Sequence, residues 1–248
     1  MADPDFIAGD DAARLLILAD HASTFVPAGI DLGLLPDIMS RHVAVDIGTA
    51  ALASGVAAQL RAPAIVAGAS RLVVDLNRPA DDPAAIPVKS DDIEIAGNRD
   101  LNRTQRAERR AIHDRYHDMI EDALDEMSPD LILSLHSFTP SLASAPEDVR
   151  PWQAGLLYDR DDRAARIAIA WLRAEGLTVG DNEPYSGARF GYTMQRHAEP
   201  RGIPYLFLEI RQDLLPDDAG IADWTARVAA LVRHTQDPLA KGSATDGR

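Results

Sequence analysis

The sequence predicts an α/β fold, specifically a three-layer α/β/α sandwich around a mixed, largely parallel sheet. Short apolar runs such as residues 14–19 (RLLILA) and 131–135 (LILSL) alternate with longer amphipathic stretches, which is the pattern of successive βα units. Hydrophobic residues make up 46% of the 248 residues, so the chain can bury a sizeable core. Without an internal repeat or a clear linker, we expect a single domain over residues 1–248, with flexible tails at about 1–13 and 238–248.

The individual elements follow from hydrophobic periodicity and from turn-forming residues. Compact apolar runs, several rich in Val and Ile, predict strands at 14–19, 64–67, 71–76, 131–135, 154–158 and 203–210. Helical spacing of apolar residues predicts helices at 38–60, 99–127, 161–175, 192–201 and 217–234. Proline, glycine, serine and aspartate predict loops at 79–98, 139–151 and 181–191. The pair 64–67 and 71–76, separated by a glycine, is compatible with a hairpin.

The composition narrows the class of protein. The formal net charge of −14, from 25 basic and 39 acidic residues, argues against general nucleic-acid binding and against docking on anionic membranes. A few converging arginines could still bind an anionic substrate. The chain has no cysteine, which excludes disulfides, a thiol nucleophile and a Cys-type zinc site. The N-terminus lacks an apolar signal segment, and no apolar run reaches the ~18 residues of a membrane span, so we expect a soluble, cytoplasmic protein.

Polar residues with catalytic potential follow four of the predicted strands. They are His21, Asn77 with Arg78, His136 and Glu209. In open α/β sheets, ligands bind beyond the carboxyl ends of the strands. Two histidines and a carboxylate are a common catalytic zinc set, a further carboxylate can serve as general base, and arginines can bind a carboxylate or an oxyanion. The clustering therefore favours a metal-dependent hydrolytic site at this edge of the sheet.

Each of these residues also has a structural interpretation. His21 and His136 could be hydrogen-bonding residues at strand ends. Asp46 could be the N-cap of a helix, and Glu209 could form a salt bridge with Arg211 after its apolar run.

The basic residues have structural interpretations as well. Arg71 and Arg78 could pair with the aspartates of 75–82. The arginines of 99–115 are interpreted as the solvent-exposed face of a helix. The remaining histidines of helical segments read as surface or core residues: His113, His117 and His234.

Seven segments together resemble the N-formylglutamate amidohydrolase family. They are ADHAS (19–23), HVAVDIGTAALA (42–53), SRLVVDLNRP (70–79), LILSLHSFTP (131–140), DNEPYSG (181–187), GYTMQRHA (191–198) and LEIRQDLL (208–215). Their order and spacing extend from about residue 14 to 235. The segment VDLNR also resembles the DxNR element of aspartoacylase-like and succinylglutamate desuccinylase-like enzymes, which share the zinc-carboxypeptidase fold. The resemblance thus implies a zinc-exopeptidase, phosphorylase/hydrolase-like fold.

The resemblance implies a divalent metal held by His21, Asp46 and His136, with Zn²⁺ as the first candidate. His and Asp ligands also accept Co, Mn or Fe. Related peptidases often use an HxxE pair, but the third residue after His21 is Thr24. Asp46 is therefore the candidate for the second ligand. Asp20, next to His21 on a strand, would point to the opposite side.

The resemblance also implies roles around the metal. Glu209 would be the general base that activates water. Arg71, Asn77 and Arg78 would bind the substrate carboxylate or polarise its carbonyl, which makes Arg71 a catalytic candidate too. Substrate contacts are implied for two tyrosines before the last strand, Tyr185 and Tyr192.

The implied function is hydrolysis of the amide bond of an N-acyl amino acid. N-formyl-L-glutamate, which would give formate and glutamate as in histidine breakdown, is the first candidate substrate. Two alternatives stay open: a related hydrolase for another N-acyl amino acid or a peptide-like amide, and a non-catalytic small-molecule-binding protein on this fold. The expected partner is a small anionic substrate, not nucleic acid or a membrane. Homo-oligomerisation stays open, as does closure of loops 79–98 and 139–151 over the site.

Overall fold

A computed structural model describes residues 3–243, which form one seven-stranded sheet, a two-stranded ribbon and the surrounding helices. The strands are β1 (Asp5–Ile7), β2 (Leu15–Ala19), β3 (Ala64–Val66), β4 (Lys89–Ser90), β5 (Ile93–Glu94), β6 (Leu131–Phe138), β7 (Ala154–Leu157), β8 (Val179–Asp181) and β9 (Tyr205–Arg211). The α-helices are α1 (Thr49–Leu60), α2 (Arg103–Met127), α3 (Arg163–Ala174), α4 (Gly187–Phe190), α5 (Tyr192–His197) and α6 (Asp218–Ser243). Short 3₁₀ helices include Pro36–Ser40, Pro83–Ala85 and Ala96–Asn98.

The large sheet has the strand order β1-β3-β2-β6-β9-β7-β8, and β4 and β5 pair with each other as a separate ribbon. Four central strands, β3, β2, β6 and β9, are parallel to one another. β7 is antiparallel to β9, β8 is parallel to β7, and β1 is antiparallel to β3. The predicted mixed, largely parallel sheet is confirmed.

Helices cover both faces of the sheet, which confirms the three-layer arrangement. Successive side chains of β2 point to opposite faces, because a strand alternates with a period of two. Leu15 and Ile17 pack with α1, α3 and α6, whereas Leu16 and Leu18 pack with α2. Every residue of β2 is buried, and burying each leucine or isoleucine contributes about 1.5–3 kcal/mol.

The start of α2 differs from the predicted position at residue 99. Its N-cap is Asn102, whose side chain accepts a hydrogen bond from the Gln105 backbone at 3.0 Å. The Gln105 side chain accepts one from the Asn102 backbone at 2.9 Å. This reciprocal capping box satisfies two helix-end donors and fixes the helix start.

The prediction of one helix over 38–60 was wrong. A 3₁₀ helix ends at Ser40, and α1 begins only at Thr49. Between them Gly48 has φ of +85°, a left-handed conformation that interrupts a right-handed helix. The interruption leaves Asp46 in a turn.

The prediction of a strand over 71–76 was also wrong. These residues form turns, although Leu72, Val73 and Val74 are buried against the α2 side of the sheet. The edge of β3 where such a strand could pair is taken by β1. A short apolar run shows burial but cannot distinguish a strand from a packed turn.

Parts of the predicted tails form regular secondary structure, and their flexibility stays a prediction. Asp5–Ile7 pairs with β3, and α6 continues to Ser243. The rest of the predicted tails, residues 1–2 and 244–248, lies outside the described residues. The single-domain assignment stays a prediction. None of the helices within residues 3–243 combines the length and apolar composition needed to cross a bilayer.

Three buried histidines connect α2 and α5 to the segment at residues 76–78. Nε2 of His113 lies 2.9 Å from the Arg78 carbonyl, and Nε2 of His117 lies 2.9 Å from the Leu76 carbonyl. A carbonyl only accepts, so both Nε2 atoms donate. Burial lowers the pKa of His117 and His197, so both rings are neutral at pH 7. The His117 Nδ1 atom therefore accepts from His197 Nε2, which is 2.8 Å away.

We expect this neutral pair to make folding stability pH-dependent. Burial is the largest influence and lowers the pKa of His117 to about 2 and of His197 to about 3. Below an unfolded pKa of about 6.5, the unfolded chain binds protons that the native pair does not. The stabilisation is complete above that pH and falls by about 1.4 kcal/mol per histidine for each pH unit below it. Urea unfolding of His197→Gln should show a smaller loss between pH 7 and pH 5 than the wild type.

The exposed His234 supplies the control for this experiment. His234→Gln should keep the wild-type pH dependence. Identical pH dependence in the wild type and in His197→Gln would contradict the neutral-pair interpretation.

Candidate active site

A cavity of about 270 Å³ opens at the carboxyl ends of the central strands. The predicted site residues that line it are His21, Asp46, Arg71, Asn77, Arg78, His136, Tyr185 and Glu209. Tyr192 lies outside this lining, on α5, where its ring centroid is 5.3 Å from that of His117. The substrate contact implied for Tyr192 has no counterpart in this geometry.

Strand pairing places His136 beside Glu209. The two residues are register partners in the parallel pair β6–β9. Both were predicted at or beyond a strand end, but β6 continues to Phe138 and β9 to Arg211. Register partners on neighbouring strands point to the same face of a sheet. Both side chains therefore reach the cavity.

His21, Asp46 and His136 form a compact group of potential metal ligands. One ligand atom from each lies within 4.8 Å of the others. The Asp46 Oδ2 atom is 2.8 Å from His136 Nδ1 and 3.4 Å from His21 Nδ1. His21 Nδ1 is buried and has no hydrogen-bond partner among the described residues. The turn before α1 aims Asp46 at both rings, so its interpretation as an N-cap was wrong; Gly48 is the N-cap.

Carboxylates also lie behind both histidine rings. His21 Nε2 is 2.7 Å from Asp75 Oδ1. His136 Nε2 is 3.1 Å from Ser134 Oγ and 3.6 Å from Asp20 Oδ2. Metal-binding histidines generally use the second ring nitrogen in this way, since the contact orients the ring and raises its basicity. The donor set and its surroundings therefore fit a divalent cation between the two Nδ1 atoms and Asp46.

The electrostatics of the group point to the same position. Burial disfavours every charge here, yet the carboxylates of Asp20 and Asp46 raise the pKa of His136 to about 10. The pKa of His21 also rises, because Asp75 and Asp46 outweigh burial and the charge of Arg71. Burial is likewise outweighed at Asp46, where His21 and His136 hold the carboxyl pKa well below its usual range. The ring nitrogens beside this ionised carboxylate hold protons strongly. A metal cation can occupy the same position once the protons leave.

Glu209 is buried and has an unsatisfied oxygen. Its Oε2 atom has no hydrogen-bond partner among the described residues. Burial, the largest influence, raises the pKa of Glu209 to about 7. Arg211 pairs with Asp213 at 2.7 Å, so the interpretation of Glu209 as a partner of Arg211 was wrong. A carboxylate with a pKa near neutrality suits a general base.

Two arginines connect the site carboxylates. Arg71 donates to Asp46 at 3.0 Å and to Asp75 at 3.2 Å. Arg78 donates to Asp75 at 3.3 Å and lies 3.8 Å from Asp82. Arg71 and Arg78 therefore line the cavity and also pair with nearby aspartates, so the functional and the structural interpretation of these residues are both observed. Neither guanidinium is fully used, so both can still contact a bound anion.

Asn77 holds the wall of the cavity in place. Its Nδ2 atom donates to the Phe190 carbonyl at 2.8 Å, and its Oδ1 atom accepts from the Thr193 backbone at 2.9 Å. These bonds connect the segment after Asp75 to α4 and α5. One N–H of the Asn77 amide remains for a ligand.

Asp91 joins the two predicted loops beside the cavity. It accepts hydrogen bonds from the Ser144 backbone at 2.8 Å and from the Ser144 hydroxyl at 2.6 Å. Loop 79–98 is thereby connected to loop 139–151, and His42 Nε2 lies 3.0 Å from Asp91 Oδ2. All three side chains line the cavity.

Sequence reasoning assigned no role to several residues of the site. Asp75 had a usable signal, because it is the first residue of the DxNR element. Asp20 was considered only as a metal ligand and set aside, whereas it contacts Tyr116, Thr193 and the Nε2 side of His136. Asp91 had no signal among the many charged residues of the loops.

Strand-end histidines beside a buried carboxylate, on a three-layer α/β/α sheet, form the kind of site that hydrolases use. The comparisons with known proteins specify which kind. The family model of N-formylglutamate amidohydrolase matches residues 13–215. The chain belongs to this family, and it is an amidohydrolase.

Solved structures share the fold over nearly the whole chain. The product of an Agrobacterium tumefaciens gene has a TM-score of 0.88 at 29% identity, and the match covers 96% of each chain. N-formylglutamate amidohydrolase from Ralstonia eutropha has a TM-score of 0.71 at 18% identity, and the match covers 98% of this chain and 100% of that one. No curated protein matches the chain.

Proposed function

We propose that this amidohydrolase cleaves N-formyl-L-glutamate to formate and L-glutamate, a reaction of histidine breakdown, and that it depends on a divalent metal. His21, Asp46 and His136 would hold the metal, with Zn²⁺ as the first candidate. The observation that carries the proposal is the convergence of two buried Nδ1 atoms on Asp46 Oδ2, at 2.8 and 3.4 Å. Histidine and aspartate are established ligands of catalytic zinc.

When bound, the metal supplies Lewis-acid polarisation and lowers the pKa of water. The remaining work falls to residues of this chain. Glu209 takes a proton from the attacking water, whose oxygen bonds to the formyl carbon. The C–N bond then breaks, and Glu209 returns the proton to the leaving nitrogen. Arg71 is within reach of both Asp46 and Asp75, so it orients the ligands and adds positive charge beside the reacting carbonyl.

The substrate carboxylate would be bound by Arg78, with Arg71 and Asn77 beside it. Arg78 lies in the cavity wall and is not fully used by Asp75 and Asp82. Guanidinium groups bind carboxylates through charge-assisted, often bidentate hydrogen bonds. Tyr185 contributes a hydroxyl to the same cavity. A cytoplasmic location, the absence of nucleic-acid partners and any homo-oligomerisation stay predictions.

The experiment is formate release from N-formyl-L-glutamate by protein treated with chelator and then reloaded with Zn²⁺. Activity that disappears and returns supports both the reaction and the metal. Metal binding without activity would reject this substrate and direct the search to N-acetyl and N-succinyl amino acids or peptide-like amides. Absence of both would reject the metal site and favour a non-catalytic binding protein.

Asp75→Asn should weaken Zn²⁺ binding by about 10- to 100-fold, because it removes the charge behind the His21 ring. The 2.7 Å contact from His21 Nε2 to Asp75 would lose its ionised acceptor. Competition with a chromogenic chelator measures the affinity. Asp37→Asn, at a side chain 59% exposed, is the matched control and should bind Zn²⁺ as the wild type does. Equal affinities for all three proteins would exclude Asp75 from metal binding.

A further inference from the structure

Arg150 is a buried cation that has no counter-ion among the described residues. Its residue is 8% exposed, and its guanidinium forms no ion pair with any of the residues that the structure describes. The two arginines of the cavity wall differ in this respect, because Arg71 and Arg78 both pair with Asp75. Leaving a buried charge uncompensated costs several kcal/mol. A bound anion would remove that cost.

The guanidinium of Arg150 lies directly against the cavity wall. Its Nη1 atom donates to the Thr139 carbonyl at 3.1 Å and to the Tyr185 hydroxyl at 2.8 Å. Thr139 and Tyr185 both line the cavity. Because the Tyr185 oxygen accepts from Arg150, its own O–H remains free to donate to another acceptor. Burial raises the pKa of Tyr185, so the hydroxyl keeps this proton at neutral pH.

An aromatic pair separates Arg150 from Arg78. The Arg150 guanidinium carbon lies 4.9 Å from the Tyr185 ring centroid. The rings of Tyr185 and Phe190 are 5.7 Å apart, and the Arg78 guanidinium carbon lies 5.6 Å from the Phe190 ring. Both rings line the cavity. The guanidinium groups of Arg150 and Arg78 therefore lie at the two ends of the Tyr185–Phe190 pair. This arrangement suits a ligand with two separated negative charges.

We propose that Tyr185 and Arg150 form a second anion subsite that selects substrates with an acidic side chain. This inference rests on the proposed function of the site. Arg78 binds the α-carboxylate, the Tyr185 hydroxyl donates to the side-chain carboxylate, and Arg150 supplies its positive charge through that hydroxyl. Arg150 is thus a specificity-determining, positioning residue. A substrate with a neutral side chain leaves the buried positive charge of Arg150 uncompensated, and binding of that substrate is therefore disfavoured.

The test compares N-formyl-L-glutamate with N-formyl-L-glutamine, which has the same shape and no side-chain charge. The wild type should prefer the glutamate substrate in kcat/KM. Arg150→Gln should reduce this preference by about 10- to 100-fold, the range of a charge-assisted hydrogen bond. The change should lie in KM for the glutamate substrate, with kcat for the glutamine substrate unchanged. Arg150→Lys should retain part of the preference, and Tyr185→Phe should lose part of it.

Arg109→Gln is the matched control, because Arg109 is the other buried arginine of the described residues, with 2% exposure, and it donates to Asn98 outside the cavity lining. It should lower thermal stability and leave the substrate preference unchanged. An Arg150→Gln variant that loses the same factor with both substrates, or a wild type without a preference, would overturn the subsite.

Calorimetric binding of L-glutamate and L-glutamine separates the subsite from the proposed reaction. Tighter binding of glutamate that depends on Arg150 supports the subsite even if no formyl substrate is hydrolysed, and the reaction alone then fails. Hydrolysis without any discrimination between the two amino acids supports the reaction and overturns the subsite.

Discussion

Glu209→Gln should lower kcat for N-formyl-L-glutamate by about 10²- to 10⁴-fold, the usual contribution of a general base. The substitution keeps the shape of the side chain and removes its ability to take a proton. The Glu209 Oε2 atom has no hydrogen-bond partner among the described residues. Little else should therefore change, and the stoichiometry of bound metal should match that of the wild type.

Stability of the metal-free protein checks this interpretation independently of activity. The pKa of Glu209 is raised to about 7, above its unfolded value of about 4.3. The protonated side chain favours folding at low pH, and this contribution is lost as pH rises through about 7. Metal-free Glu209→Gln should therefore lose less stability than wild type between pH 5 and pH 8. Retained turnover, or an unchanged stability profile, would count against a buried base at this position.

Asp46→Asn should weaken Zn²⁺ binding by at least about 100-fold, more than a substitution behind the ligands. Among the described ligand candidates, only the ionised carboxylate of Asp46 faces both His21 Nδ1 and His136 Nδ1. An asparagine carbonyl can still accept from Arg71, so the fold should persist. Activity should fall together with metal content.

Thermal unfolding with added Zn²⁺ measures this effect. A ligand that binds only the native state at 100 times its Kd stabilises that state by about 2.7 kcal/mol. The wild type should show this increase, and Asp46→Asn should not. Asp213→Asn, which alters the exposed pair with Arg211, should respond as the wild type does. An Asp46→Asn protein with one Zn²⁺ bound at wild-type affinity would place the metal elsewhere.

Much of the site is predicted by the polar residues that follow the apolar strands in the sequence. Because ligands of α/β sheets gather where parallel strands end, the sequence alone groups His21, His136 and Glu209. The resemblance then supplied Asp46, whose turn depends on the left-handed Gly48. Local pattern could not show that turn, since the Ala-rich sequence around it also fits a helix.

Residues outside the strands were harder to predict, for two physical reasons. Arg150 and Asp91 depend on contacts between loops far apart in sequence, and nothing in their own neighbourhood marks them. The run before Asn77 has the composition of a strand, yet β1 occupies the sheet edge that it would need. Composition indicates burial, whereas strand pairing depends on which segment of the whole chain occupies the sheet edge.

The β6–β9 pairing has a consequence for how this enzyme can diversify. The distance between His136 and Glu209 follows from the spacing of about 4.8 Å between hydrogen-bonded strands, so changes in the loops leave it untouched. Arg150 and Asp91, by contrast, lie in connections that tolerate insertion and replacement. The residues that carry out the reaction and the residues that select the substrate therefore lie in different parts of the chain and can change independently. Exchanging loops 139–151 and 181–191 together between relatives should transfer the substrate preference and keep the ability to hydrolyse an amide.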